Sequence, residues 1–226
     1  MSGTAPRVLL YALVAGTSPL ALLSTLAVLG SGRGRENGSA FALAFLVTQS
    51  VVLLIAFLVG SAAAPDRERH HETLAAALEL VAGAGLLALA WRARTPRRSQ
   101  LPSEESRTKA LLARLRGLRP VASFSVGALL GVGGVKRLTI TLLAGATIAV
   151  AALIPAEEVG LGVLYVLIAS LLVWLPVAVY LIAGKRADEL TESTEAWLLA
   201  NQQRATLLST LVFGLLITGD AIVRLL

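Results

Sequence analysis

The sequence predicts an all-α, polytopic membrane protein with six transmembrane helices. Three observations carry this reading. The chain has 226 residues, is 56% hydrophobic and only 15% charged, and has a mean hydropathy of +0.76, more apolar than a soluble domain of this length. The apolar residues fall into runs near the length of a membrane span. The cations concentrate in alternate connectors, as the positive-inside rule expects.

The spans are predicted at residues 7–30, 39–64, 73–91, 121–153, 158–183 and 203–225. The first apolar run, Val8 to Leu29, is too long for a signal-peptide core and has no cleavage pattern after it. With no cysteine, disulfides and thiolate metal sites are excluded. Arginine heavily outnumbers lysine, which we read as the codon bias of a GC-rich bacterium. The first connector, "SGRGRENG", reads as a glycine-rich turn. The third, Arg92 to Arg119, holds nine Lys or Arg against two Glu. The fifth opens with Lys185 and Arg186, whereas the second is mixed in sign and the fourth, "PAEE", has no cation. The odd connectors are therefore expected in the cytoplasm and both termini outside, in a multi-pass protein of the bacterial inner membrane. One membrane domain, 1–226, is expected, with half-repeats at about 1–91 and 120–226 joined by the basic cytoplasmic linker 92–119. In the linker, Leu111, Leu112, Leu115 and Leu118 share a helical face ringed by cations, which predicts an interfacial helix over 104–118 lying against anionic lipid. A second short surface helix is expected around Trp197.

The fourth span poses a physical problem. "LLGVGGVKRLTITLLAG", residues 129–145, places Lys136 and Arg137 inside an apolar run, where each cation costs about 2.5–3.5 kcal/mol near a helix centre. A loop between two spans would leave flanks of 15 and 17 residues, at or below spanning length. It would also put Lys185 and Arg186 outside, against the charge rule. One continuous helix from Pro120 to Ile154 would reach about 52 Å, well beyond the ~30 Å hydrocarbon core. A break at Gly131, Gly133 and Gly134 resolves both problems.

That break has a counterpart. "YALVAGTSPLALLSTL" (11–26) and "GALLGVGGVKRLTITL" (127–142) align at an offset of 116, with five identities including Thr25 with Thr141. Gly16-Thr17-Ser18-Pro19 falls opposite the second glycine cluster. Both segments open a set of three predicted spans, so an inverted 3+3 repeat with interrupted helices 1 and 4 is expected. Paired interrupted helices mark substrate sites in transporters. The freed backbone groups must be satisfied by protein or a polar cavity.

The candidate substrate-binding and translocation residues follow from this reading. Gly134, Lys136 and Arg137 sit at the second break and suit an anion, or else pair with a buried acid. Glu79, in the third span, and Asp220, in the sixth, are the acids in question. Gln49 and Ser50 interrupt the second span and suit helix–helix hydrogen bonds. Pro176 is expected to kink the fifth span. His70 and His71 read as a solvated loop. With no nucleophile–His–acid set, phosphate loop, metal motif or cofactor motif in the sequence, the protein is expected not to be an enzyme and to use no cofactor.

The Ser18-Pro19 break, "RENGSAF" (35–41), "VKRLTITLLAGATIA", "IASLLVWLPVAVYL" and "AWLLANQ…FGLLITGDAI" together resemble the actinobacterial GAP family of glycopeptidolipid- and sulfolipid-addressing proteins, within the lysine-exporter superfamily. The resemblance runs over nearly the whole chain. It implies an inner-membrane protein that helps move a lipid or glycolipid to the cell surface, with Ser18, Pro19, Arg35, Asn37, Gly38 and Lys136 in the family's marked positions. Many members carry an Asn-Pro-Lys-Asn-like break in the fourth span; here Gly134, Val135, Lys136 and Arg137 stand there, and only the lysine is kept. The leading expectation is an exporter or flippase for an amphiphilic, anionic envelope lipid. A small-solute exporter for an amino acid or inorganic ion, and a non-catalytic membrane partner of a lipid-synthesis enzyme, are the alternatives. Expected partners are membrane lipids, an envelope lipid or glycolipid substrate and a second copy in a homodimer; nucleic acid is not expected.

Overall fold

The computed structural model of the protein describes residues 3–62, 112–183 and Thr194. All regular secondary structure among the described residues is helical, with no strand. The helices are α1 (Thr4–Gly16), α2 (Pro19–Leu29), α3 (Gly34–Ala62), α4 (Pro120–Val132), α5 (Val135–Val150), α6 (Pro155–Ala169) and α7 (Leu171–Ala183). A helical turn over 112–116 precedes α4. Among the described residues only α3 is long and apolar enough to cross a membrane unbroken. Three bent pairs pass the same test if each is one span: α1 with α2 (56°), α4 with α5 (65°) and α6 with α7 (72°). This gives up to four spans among the described residues. The predicted third and sixth spans lie outside them, as do Trp197, His70 and His71.

The sequence dictates the first two breaks. At the first, Pro19 occupies the first turn of α2 and Ser18 caps it, its Oγ accepting from the Ala21 N–H at 3.3 Å. At the second, Gly133 has φ +76°, a conformation that favours glycine. The breaks fall in strict register with the 116-residue offset. Gly16 and Val132 end the leading helices, and Pro19 and Val135 begin the trailing ones. Thr25 and Thr141 also behave alike, each donating its hydroxyl to the carbonyl four residues back, at 2.8 and 2.9 Å.

Three expectations need correction. The fifth span is not one kinked helix: it breaks at Ser170, six residues before Pro176, which lies inside α7. The Trp174 indole N–H donates to the Leu167 carbonyl at 2.8 Å across that bend, supplying a donor where regular helix bonding is interrupted. The second span is continuous, so the fifth does not resemble it as a full 3+3 repeat requires. "RENG" is not a loop, since α3 already begins at Gly34. There a Cβ would run into the Leu29 carbonyl, so the turn closes only around glycine. Of the linker leucines, Leu112 and Leu115 do not face lipid, either. Leu112 and Leu115 are buried in a protein core with Leu29, Phe41 and Val177, because the end of α2 and the start of α3 offer an apolar surface closer than the bilayer.

The core is split into two tiers. One packs α2, α4, α7 and the first half of α3 with the 112–116 turn. The other packs α1, α5, α6 and the second half of α3 around Leu53. The three breaks lie between the tiers, and α3 runs through both. Glycines let the helices meet it closely. Cβ atoms at Gly127 and Gly131 of α4 would strike the backbone of Phe41 and Phe45, and one at Gly145 would strike Ala56 and Phe57. Such small-residue seams supply van der Waals contact where lipid offers no hydrophobic driving force.

Candidate functional site at the helix breaks

The junction of the breaks holds four of the buried polar residues of the bundle interior, Gln49, Arg137, Thr141 and Ser170. α1 ends at Gly16 against the end of α6, where a Cβ would lie 2.8 Å from the Ile168 carbonyl. Arg137, at the third position of α5, leaves the positive end of its own helix for the negative end of α1. Its Nη2 donates to the Ala15 carbonyl at 2.8 Å, and its guanidinium lies 4.7 Å from the Phe45 ring centroid, within cation–π range. The side chain folds back over Gly133, where a Cβ would be 2.6 Å from Arg137 Cδ. Gly133 is thus required twice, for its φ and for the space Arg137 takes. The other freed groups at α1 are also met: the Thr17 N–H and Oγ1 both donate to the Leu13 carbonyl, at 3.2 and 2.8 Å, and the Ser18 N–H to Gly16 at 2.9 Å.

A second set of bonds crosses α3, α5 and α6. The Thr141 hydroxyl lies 2.9 Å from each of the Arg137 carbonyl, Gln49 Nε2 and the Tyr165 hydroxyl. A carbonyl only accepts, so the one proton of Thr141 is committed to it. Tyr165 and Gln49 must therefore both donate to Thr141. This fixes the Gln49 amide with Oε1 turned away, and that oxygen has no partner among the described residues. Among the described residues, Arg137 Nη1 and the Ser170 hydroxyl are likewise buried without a hydrogen bond. A buried donor, acceptor and hydroxyl left unpaired are costly.

The predicted site residues divide accordingly. Arg137 and Gln49 meet at the junction through Thr141; Ser18 and Pro19 build its first break, and Gly134 caps α5. Lys136, next to Arg137, is half-buried and has partners of its own. Among the described residues the bond Arg137 makes is to a backbone carbonyl, that of Ala15. Glu79 and Asp220 lie outside the described residues. Asn37 and Gly38 stand elsewhere, at the far end of the first tier. Asn37 Nδ2 donates to Ser31 Oγ at 2.8 Å and to the Leu118 carbonyl at 2.9 Å, clamping the linker to α3. A Cβ at Gly38 would meet Leu29 Cδ2 at 2.5 Å. Thr141, Tyr165, Phe45 and Ser170 escaped the sequence reading. Two carried a signal: Thr141 is one turn from Arg137 and is a repeat identity, and Tyr165 is the one hydroxyl-bearing side chain in α6.

Beside the junction, α3, α5 and α6 enclose an open apolar groove of about 350 Å³, with Ser50 and Leu53 on one wall and Glu158 and Val166 on another. Leu53 is one turn from Gln49 on the buried face of α3, and Val166 follows Tyr165. Among the described residues an apolar groove thus lies beside helix positions that carry the interior polar cluster. Over residues 8–223 the sequence matches the family described as Sap, sulfolipid-1-addressing protein. The chain belongs to the sulfolipid-1-addressing protein family. Membership agrees with the apolar helices in making it a membrane protein, and it ties the protein to lipid-related processes of the cell envelope. No curated protein and no solved structure matches the chain. Among its described residues, this member of the sulfolipid-1-addressing family has no group of three His, Cys, Asp or Glu able to hold a metal.

Proposed function

We propose that this protein is a non-catalytic transporter or flippase-type protein that moves an amphiphilic, anionic envelope lipid or glycolipid across the inner membrane. The observation that carries the reading is the adjacency of the lateral apolar groove to the Arg137–Gln49 cluster at the breaks. A lipid needs both an apolar path open to the bilayer and a polar station for its headgroup; an amino acid or inorganic ion needs only a polar cavity. Arg137 Nη1 supplies a buried cationic donor for an anionic oxygen, the strong class of hydrogen bond. The sulfolipid named by the family is the nearest guide to substrate chemistry.

The charge distribution supports an inward-facing first tier. Asn37 joins the first connector to the end of the third, and Arg35 Nη2 donates to the Leu181 carbonyl near the end of α7 at 3.4 Å. Arg33, Arg35, Arg114, Arg116 and Arg119 are all exposed at this end, whereas Glu157 and Glu158 occupy the first turn of α6 at the other. The test is the surface lipid profile of a deletion strain, complemented with the wild-type chain or with Arg137→Ala. Loss of a surface lipid, restored by wild type and not by a stably produced Arg137→Ala, is expected. An unchanged profile on deletion, with no lipid bound by the purified protein, would overturn the reading.

A further inference from the structure

We infer that the paired starts of α3 and α4 form an oxyanion site, held by Arg33 and Arg119, that takes the headgroup of an anionic membrane lipid. The site lies in the first tier, away from the junction of the breaks, and does not depend on transport.

Register brings the two arginines together. A Cβ at Gly127 would strike Phe41 and one at Gly131 would strike Phe45, so α4 runs parallel to α3. One turn back along both helices, Asn37 falls beside Ser123. One turn further back, Arg33 falls beside Arg119. Hydrogen bonds fix that last step. The Asn37 N–H donates to the Arg33 carbonyl at 2.9 Å, and Asn37 Nδ2 donates to the carbonyl of Leu118, the neighbour of Arg119, at 2.9 Å. Arg33 and Arg119 therefore stand directly before two adjacent helices that start at the same end of the bundle.

By charge alone this is an unfavourable place for cations. A helix start carries about half a positive charge, and its free N–H groups need acceptors. Ser, Thr, Asp or Asn usually stands there, whereas Arg119 makes no cap bond to α4. Both arginines are exposed, and neither guanidinium has a hydrogen-bond or ion-pair partner among the described residues. Glu36, exposed in the first turn of α3, is one acid against Arg33, Arg35 and Arg119. An oxyanion between the two helix starts removes the repulsion. Helix N–H groups bind such groups, and guanidinium adds charge-assisted bonds. A further donor is aimed the same way. Ser123 shares the α3-facing side of α4 with Arg119, one turn inside it, and is fully buried with its hydroxyl unbonded. Helical side chains lean toward the helix start, so this hydroxyl is directed at the arginine end. Across the seam, Asn37 Oδ1 is an unbonded acceptor and suits a hydroxyl of the head. Because α3 is long and apolar enough to cross the bilayer from this end, the oxyanions that meet the site are those of lipid heads.

The test follows the thermal midpoint of the full chain in uncharged detergent as phosphatidylglycerol, phosphatidylcholine or inorganic phosphate is added at equal concentration. Phosphatidylglycerol is expected to raise the wild-type midpoint, and the other two to leave it unchanged. Arg33→Gln and Arg119→Gln each remove a repelling charge, so without lipid they are expected to unfold at or above the wild-type midpoint. Each is expected to need roughly tenfold more phosphatidylglycerol for the same rise, as for the loss of one charge-assisted contact. Arg114→Gln, an exposed linker arginine outside the register, is expected to respond as wild type does. An equal rise with phosphatidylcholine overturns the site, and so does an equal loss in Arg114→Gln, which marks a diffuse basic surface. As large a rise with inorganic phosphate overturns the lipid as its source. Lower midpoints for both glutamine variants without lipid mean that the arginines are bonded within the protein, and overturn the site as well. The three additions are read on the wild-type chain and need no variant to fold. A selective rise with an unchanged surface lipid profile on deletion retains the site and refutes transport; no rise with an altered profile does the reverse.

Discussion

Arg137 is a cation placed in an apolar interior without an acid to neutralise it among the described residues. Its charge is met by the carbonyl end of α1 and the face of Phe45, two partial charges in place of one whole one. This predicts an asymmetry between substitutions. Arg137→Ala leaves the Ala15 carbonyl buried and unpaired, at about 1–3 kcal/mol, so its thermal unfolding midpoint in detergent falls below that of wild type. Arg137→Lys keeps the charge but loses the planar fork, and is expected to recover part of the stability and little of the complementation of a deletion strain's surface lipid profile. Gly133→Ala fails for a different reason, combining a positive φ with a Cβ against Arg137, and should destabilise more than Gly134→Ala, whose Cβ meets nothing within 4 Å. Equal midpoints for the two glycine variants would show that the fold-back of Arg137 is not what the glycine serves. Thr141→Val removes the acceptor shared by Gln49 and Tyr165, whereas Thr141→Ser retains it. Only the valine variant is expected to unfold at lower temperature.

Among the elements, α3 and α4 form the seam most sensitive to size. Gly127 and Gly131 lie one turn apart and admit the backbone of Phe41 and Phe45. Gly127→Leu or Gly131→Leu forces these helices apart, and the monodisperse yield of protein is expected to collapse, while Leu129→Ala, on the exposed face of α4, is tolerated. The same helices show how far the sequence is legible. The breaks at 16–19 and 132–135 were readable because proline, serine and glycine act locally, through a fixed φ, a side-chain cap and a permitted positive φ. The bend at Ser170 was not, since Pro176, the breaker in that run, lies six residues beyond it and the Trp174 indole that bonds the Leu167 carbonyl across it leaves no local signal. The linker turn was read as amphipathic correctly and assigned the wrong neighbour: periodicity shows that Leu112 and Leu115 share a face, not whether lipid or protein covers it. Gln49 was legible as a helix–helix hydrogen bonder. Its partner Thr141 was hidden in a common residue type.

Across the whole molecule, five arginines gather at one end and two glutamates begin α6 at the other. Asn37 fixes the first group by tying the linker carbonyl of Leu118 to the start of α3. Asn37→Ala is expected to release that attachment, seen as faster amide hydrogen exchange over residues 112–119 with α5 and α6 unaffected; slow exchange retained there would mean the buried leucines suffice. A consequence of the two-tier packing concerns motion. Every described span except α3 is cut at the level of the breaks, so the tiers are coupled through short bent joints and one uninterrupted rod. A displacement of one tier against the other that keeps both cores intact is then a turn about α3, with α3 as axle and Arg137 as the pin that holds α1 and α5 in step.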